Sequence, residues 1–474
     1  MGEPILVRSP RQTARNGIVG PTSGGRKLAH ETVAAIEDEL FGKGWSRGDL
    51  IGTLPQFQKR FSLGRWACRE AISIMQARGL IDIRRGPSGG LYVSRLGITD
   101  LSRALILYLA LTKTYTSALT EAREIVAKMV VQALLDGGKV LDGAQTFMSS
   151  QDFRLWLARS CGNLGMVFLV ELLDIVDDHC VRFSGSEIGA VPRRPDLEAE
   201  LVRAINRGDP GARGLAAEYI RKTQVPGSDR MIGCPKLISE VAWVNPHKFA
   251  GGLCARLIDE ILANDGSGPL KLGSESRIGE RYGYNAEIVR QAVRMLEDIG
   301  IIESQRGRGG GILSATPKPG PVIRLICAYI SNCRLTYADN NAIVREIATG
   351  AFSLAAEKVK DGRIPPPAPW NQDGPSDQGA DSRASGAIEL ENRLVEVAGN
   401  EVLTVIVRGF ALHYLFATSG GEAIGLPPLT AEGVECNMLI YEGIRRGDVA
   451  SVDHYSRQKI RHMEALTDSP AIAV

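Results

Sequence analysis

Arg85-Gly86-Pro87-Ser88-Gly89-Gly90 and Arg306-Gly307-Arg308-Gly309-Gly310-Gly311 close two stretches that align without a gap, residues 27–96 with residues 248–317. Inside them Lys27-x-Ala29 matches Lys248-x-Ala250, Asp38-Glu39 matches Asp259-Glu260, Arg60-Phe61 matches Arg281-Tyr282, and Arg69-x-Ala71 matches Arg290-x-Ala292. Self-similarity at one fixed offset marks a repeated structural unit. Working back from the first glycine-rich run, residues 80–84 and 91–93 read as two short strands around a tip at residues 86–90. Gly79 ends a preceding helix over residues 65–78. Cys68, Ala71, Ile72 and Met75 form its inner stripe, and Arg65, Trp66, Arg69 and Ser73 lie opposite. A turn at residues 62–64, a short helix over 54–61 and a first helix over 28–41 complete the unit, with Leu28, Val33, Ile36 and Leu40 on one face of the latter. Three helices followed by a two-stranded hairpin describe a winged helix-turn-helix, a fold that places its second turn helix in a DNA major groove and its hairpin tip on the backbone.

The bulk composition places limits around this reading. A chain of 474 residues exceeds a single core. Lys and Arg number 56 against 54 Asp and Glu, so any nucleic-acid surface is local. The 8 cysteines show no C-x-x-C pair and no zinc-finger histidine spacing, which fits reduced thiols in the cytoplasm. The apolar runs at residues 105–111 and 166–176 are too short or too interrupted to span a bilayer, and no signal-peptide run is present. No P-loop, G-x-S-x-G or H-E-x-x-H motif is present, so no enzyme activity and no cofactor are expected.

The expected organisation is a disordered basic tail over residues 1–26, a winged helix over 27–97, a helical domain over 98–225 and a linker over 226–246. A second winged helix over 247–317 and a second helical domain over 318–474 follow, the last with a flexible Pro/Gly/Ser-rich insertion over 361–386. Weak echoes join the helical domains: Arg123-Glu124-Ile125 with Arg345-Glu346-Ile347, Gly162-Asn163 with Gly399-Asn400, and Arg207-Gly208-Asp209 with Arg446-Gly447-Asp448. The fold class is therefore mainly α with small β wings, in tandem.

The stretches Arg47-Gly48-Asp49-Leu50-Ile51-Gly52-Thr53, residues 65–72, Gly79-Leu80-Ile81 and residues 85–93 resemble the DNA-binding domain of the GntR family of bacterial transcription regulators. The helical echoes resemble, more faintly, the effector-binding and dimerising domain (FCD) of its FadR-like subgroup. In both copies a glycine, Gly52 or Gly273, replaces the family's proline near the second helix, which is expected to loosen the helix entry. The resemblance implies DNA contacts at Thr53, Arg65, Trp66, Arg69, Arg85, Gly86 and Gly89. In the second copy it implies Ser274, Asn285, Glu287, Arg290, Arg306, Gly307 and Arg308. Only Arg290 remains of the recognition-helix arginine pair there, and Ala286 replaces its partner. The family's Asp/His metal positions fall on Ser150/Arg154 and near Glu198 and Tyr219 in the first helical domain, and near Asn437 and Gln458 in the second, so no metal is expected. Arg123, Arg154, Asn163, Arg345 and Asn400 are candidates for holding an effector, a small organic acid if one binds; the arginines read equally as a salt-bridged helix surface.

Taken together, the sequence predicts a transcription regulator acting as a repressor. It would bind double-stranded DNA as a covalent pseudo-dimer on a non-palindromic operator, with further homodimerisation and an effector response left open. The alternative is a sequence-tolerant architectural DNA binder or a protein-docking module.

Overall fold

The structure is a computed structural model and describes residues 33, 36–37, 39–40, 48–77, 80–84, 86, 89–94, 97–142, 146–182, 193–224, 229–233, 249–264, 268–305, 310–333, 335–369, 393–417 and 431–467. The expected basic tail and most of the expected linker lie outside these residues.

The first small module contains β1 (Leu50–Gly52), α1 (Leu54–Arg60), α2 (Arg65–Ala77), β2 (Ile81–Arg84) and β3 (Gly90–Val93). Its core is the stripe read from the sequence: Cys68, Ala71, Ile72 and Met75 are buried with Val33, Ile36 and Phe57. The second module repeats this order with β4 (Lys271–Gly273), α10 (Glu275–Tyr282), α11 (Ala286–Asp298), β5 (Ile302–Gln305) and β6 (Gly311–Ser314), preceded by α9 (Phe249–Leu262). Val289, Ala292, Val293 and Leu296 form its matching stripe. An ion pair fastens the first helix to the turn helices in each module, Arg60 with Glu39 and Arg281 with Glu260.

Each sheet has three strands, in the orders β1-β3-β2 and β4-β6-β5, where the sequence suggested a two-stranded hairpin. A three-residue strand is too short to display alternation, so β1 and β4 read as turn. Glycines let the extra strand in. A Cβ on Gly90 would lie 3.1 Å from the Gly52 carbonyl oxygen, and one on Gly311 would lie 3.0 Å from that of Gly273. Gly52 and Gly273 have φ of 146° and 109°, values that favour glycine. The helix entry they precede is capped rather than loosened: the Thr53 amide donates to Gln56 Oε1 at 2.8 Å, and Ser274 Oγ accepts from the Arg277 amide at 3.3 Å.

Between and after the modules the chain is helical. The first half holds α3 (Ile98–Leu111), α4 (Thr116–Asp136), α5 (Ser150–Cys161), α6 (Leu164–Arg182), α7 (Pro195–Asn206) and α8 (Ala212–Lys222). The second holds α12 (Gly320–Asn332), α13 (Tyr337–Lys360), α14 (Glu401–Ala417), α15 (Ala431–Arg446) and α16 (Val449–Thr467). None of the described helices is long and apolar enough to cross a membrane. The helix α8 was not evident in the sequence because its buried face is built partly of alanines, Ala212, Ala216 and Ala217, beside Tyr219 and Ile220. Two expected loops are tied down where they are described. Asp229 accepts from the Ser117 amide at 2.8 Å at the start of α4, and Ile232 donates its amide to Thr114. Residues 361–369, the start of the expected flexible insertion, lie against α15: Tyr441 Oη donates to the Ala368 carbonyl at 2.8 Å and Arg445 Nε to that of Pro367 at 3.0 Å.

The halves meet along a seam where α4 packs on α13 and α14, α6 on α13, and α3 on α12. Asn163, just before α6, caps that helix through Oδ1 and donates Nδ2 to the Asp339 carbonyl in α13 at 3.4 Å. Asn400, just before α14, caps it likewise and donates to the Ala118 carbonyl in α4 at 2.9 Å. The small modules are joined to the seam as well. Arg324 on α12 lies 3.6 Å from Glu37 of the first module, both buried. Ile299 and Ile301 of the second module share a cavity with Leu107 on α3 and Val322 on α12.

Helix α13 crosses α4 at Gly350, where a Cβ would lie 2.5 Å from Ile125 Cγ2 and 3.3 Å from Ile125 Cβ. A β-branched side chain has no free rotation with which to yield. Gly350→Ala gains helix propensity of about 1 kcal/mol, while overpacking costs about 1–3 kcal/mol. The expected net result is a loss of about 1 kcal/mol in urea unfolding; a stabilised variant would show that the crossing is looser than described.

Candidate nucleic-acid interface

In the first module, α2 follows directly on Gly64, whose carbonyl accepts from the Cys68 amide, and the buried stripe fixes which side faces out. Arg65 and Arg69 are exposed one turn apart on that outer side. Neither guanidinium is bonded to a described residue. Planar guanidiniums free at this spacing can each donate in bidentate fashion to a base edge or a phosphate. Thr53 is half-buried and occupied in capping α1. At the hairpin tip Gly86 is exposed with φ of 110°. Gly89 donates its amide to the Gly86 carbonyl at 2.8 Å, and a Cβ on Gly89 would meet that oxygen at 2.7 Å, so the turn requires glycine. Beside the tip the Arg84 guanidinium stacks 4.0 Å from the Tyr92 ring centroid. Arg85 and the side chain of Trp66 lie outside the described residues.

In the second module Asn285, Glu287 and Arg290 are all exposed on the first turns of α11. Asn285 Oδ1 caps that helix, accepting from the Glu287 and Ile288 amides at 3.1 and 3.0 Å. Arg290 Nε donates to the Ala286 carbonyl at 3.1 Å, which leaves the terminal nitrogens of the guanidinium facing solvent. Ser274 is exposed and caps α10. Arg306, Gly307 and Arg308 lie outside the described residues. Helices α2 and α11 approach each other.

The helical candidates have different surroundings. Arg123 is buried, and its Nη2 lies 3.2 Å from Asp174 Oδ1 and its Nη1 2.6 Å from Asp177 Oδ2. Burial alone would lower the Arg123 pKa; Asp177 and Asp174 outweigh it and hold it above its ordinary value. Arg154 Nε donates to the same Asp174 carboxylate at 2.9 Å, and its Nη2 lies 2.8 Å from it. Asp174 and Asp177 were missed in the sequence reading. The available signal was an acid recurring one turn on, inside the apolar run Leu172-Leu173-Asp174-Ile175-Val176. The cavity lined by Arg123, Arg154, Asp174 and Tyr219 admits a water-sized molecule rather than an organic acid. Tyr219 Oη donates to Glu198 Oε1 at 3.0 Å, and Arg193 Nε donates to the other Glu198 oxygen at 2.9 Å. Ser150 and Arg154 also lie close to Tyr219, so Ser150, Arg154, Glu198 and Tyr219 converge on one cluster. In the second half Asn437 and Ser456 are buried. Arg345 is half-buried on α13 and engaged by neighbouring groups. Asn163 and Asn400 serve the seam. Among the described residues no cluster of three or more His, Cys, Asp or Glu side chains is placed to share a metal.

No family model matches the sequence, and no curated protein matches it. Among solved structures, a GntR protein of Streptococcus agalactiae aligns with 41% of this chain and 97% of its own, at 15% identity and a TM-score of 0.22, a similarity too slight to carry an argument.

Proposed function

We propose that the chain is a sequence-specific DNA-binding transcription regulator, a repressor that carries both of its readers on one polypeptide as a duplicated pseudo-dimer. The observation that carries this reading is the pair Arg65 and Arg69: exposed, unengaged by any described residue, and one turn apart on a helix whose opposite face is core. Support for the duplication comes from the matched strand orders, the matched ion pairs of Arg60 and Arg281, and the reciprocal amides of Asn163 and Asn400. The outward faces of α2 and α11 differ, Arg65 and Arg69 against Glu287 and Arg290, so the operator is non-palindromic. Glu287 is suited to accept from a cytosine amino group and repels phosphate. The interior of the first helical half serves structure: Asp174 occupies the guanidiniums that a carboxylate ligand would need.

The test is a binding titration on an operator found by genomic footprinting. Arg69→Ala is expected to weaken specific binding by about 1–3 kcal/mol and to relax preference at one base pair. A loss of equal size on every sequence, with a shallower salt dependence, would mean that Arg69 meets phosphate alone and that the chain is a sequence-tolerant DNA binder. Unchanged operator affinity would remove α2 from the groove.

A further inference from the structure

A groove of about 680 Å³ opens along the seam, where α4 and α8 of the first half face α13 and α16 of the second. Lys128 on α4, Arg213 on α8 and Lys360 on α13 line it. Within the described residues none of the three side chains makes a hydrogen bond or ion pair. Lys128 and Arg213 are half-buried, so each has given up part of its hydration, and Glu124 and Glu346 attract them through space without a direct bond. The two acids that line the groove each have a partner. Asp448 accepts from the amide and the hydroxyl of Ser451 at 3.1 and 2.6 Å, and Asp453 accepts from Arg457 Nε at 2.9 Å. In the adjoining recess burial pushes the Glu346 carboxyl above its ordinary pKa, against the pull of Arg213 and Arg457, which weakens its hold on a negative charge. Glu121 and Glu124 in that recess are paired with Lys358 and Arg221, and Glu357 also faces it; the groove itself is lined by Lys128, Arg213, Lys360 and Arg457 against Asp448 and Asp453, so its own balance is positive.

We propose that this seam groove binds a small multivalent anion, bearing phosphate or carboxylate groups, between Lys128, Arg213 and Lys360. Arg213 offers a planar fork that matches either oxyanion, and the two lysines supply point charges from opposite halves of the chain. Since α4 and α13 belong to different halves, the ligand bridges the seam and stabilises the assembled chain by mass action.

The experiment uses the full chain without DNA, so its outcome is independent of the operator test. Pyrophosphate and citrate are titrated in separate arms against sodium chloride at matched ionic strength, read by calorimetric titration and by thermal shift. At least one arm is expected to give saturable binding and a rise in melting temperature that chloride does not reproduce. Arg213→Gln and, separately, Lys128→Met are expected to weaken that binding about tenfold or more. Lys360→Gln alters an exposed side chain, keeps the test valid if the half-buried substitutions unfold the protein, and is expected to weaken binding in the same direction. The proposal is overturned if neither anion saturates, if chloride gives the same shift, or if folded variants bind as the unaltered chain does.

Discussion

Asp174→Ala is expected to destabilise the protein by about 3–5 kcal/mol, the scale set by breaking a buried ion pair from one side. Asp174 and Arg123 are both almost wholly inaccessible to solvent, and Arg154 is mostly so. Removing the carboxylate strips Arg154 of the acid it bonds among the described residues and leaves Arg123 with Asp177, which itself reaches solvent. Two guanidiniums in an apolar cavity, among Val126, Val130, Leu157 and Leu173, then lack the charge that justified their burial. Substituting both members tests the cause. Asp174→Leu with Arg154→Leu removes the charge and its partner together, and is expected to recover much of the loss. The measurement is the urea midpoint with its slope checked for constancy. A loss below about 1 kcal/mol for Asp174→Ala would place the cluster in water rather than in the core.

That cluster also marks where the sequence ceased to be readable. The helices and hairpins of the two small modules were legible because their information is local. A stripe such as Cys68, Ala71, Ile72 and Met75 reveals which side of α2 is inside, and the glycines at residues 86 and 89 reveal the tight tip. Exposure of Arg65 and Arg69 follows from the same periodicity. The third strand escaped because its fit depends on Gly52 meeting Gly90, residues brought together only by folding. The helical candidates fared differently for the same reason. Arg123 and Arg154 were recognisable as charges inside apolar helices, but their partner is a third residue, Asp174, on another helix. Asn163 and Asn400 were recognisable as an echo, yet their amides reach across the seam to Asp339 and Ala118, which no local pattern encodes.

Phe168→Ala probes that seam directly and is expected to cost about 3–5 kcal/mol. Phe168 is buried on α6 of the first half, yet its aromatic neighbours belong to the second. Its ring stacks on Tyr329 of α12 at 4.8 Å between centroids and lies 6.1 Å from Phe410 of α14. Truncation removes the apolar area and leaves a cavity that α12 and α14 cannot close without dragging the Asn400 and Tyr108–Glu401 contacts with them. The site of the loss therefore matters as much as its size. Because the halves share this core, the helical part of the chain is expected to unfold in a single thermal transition that shifts as a whole in the variant. Two resolved helical transitions, with only one moved by Phe168→Ala, would show that each half holds its own fold and that the seam is a docking contact.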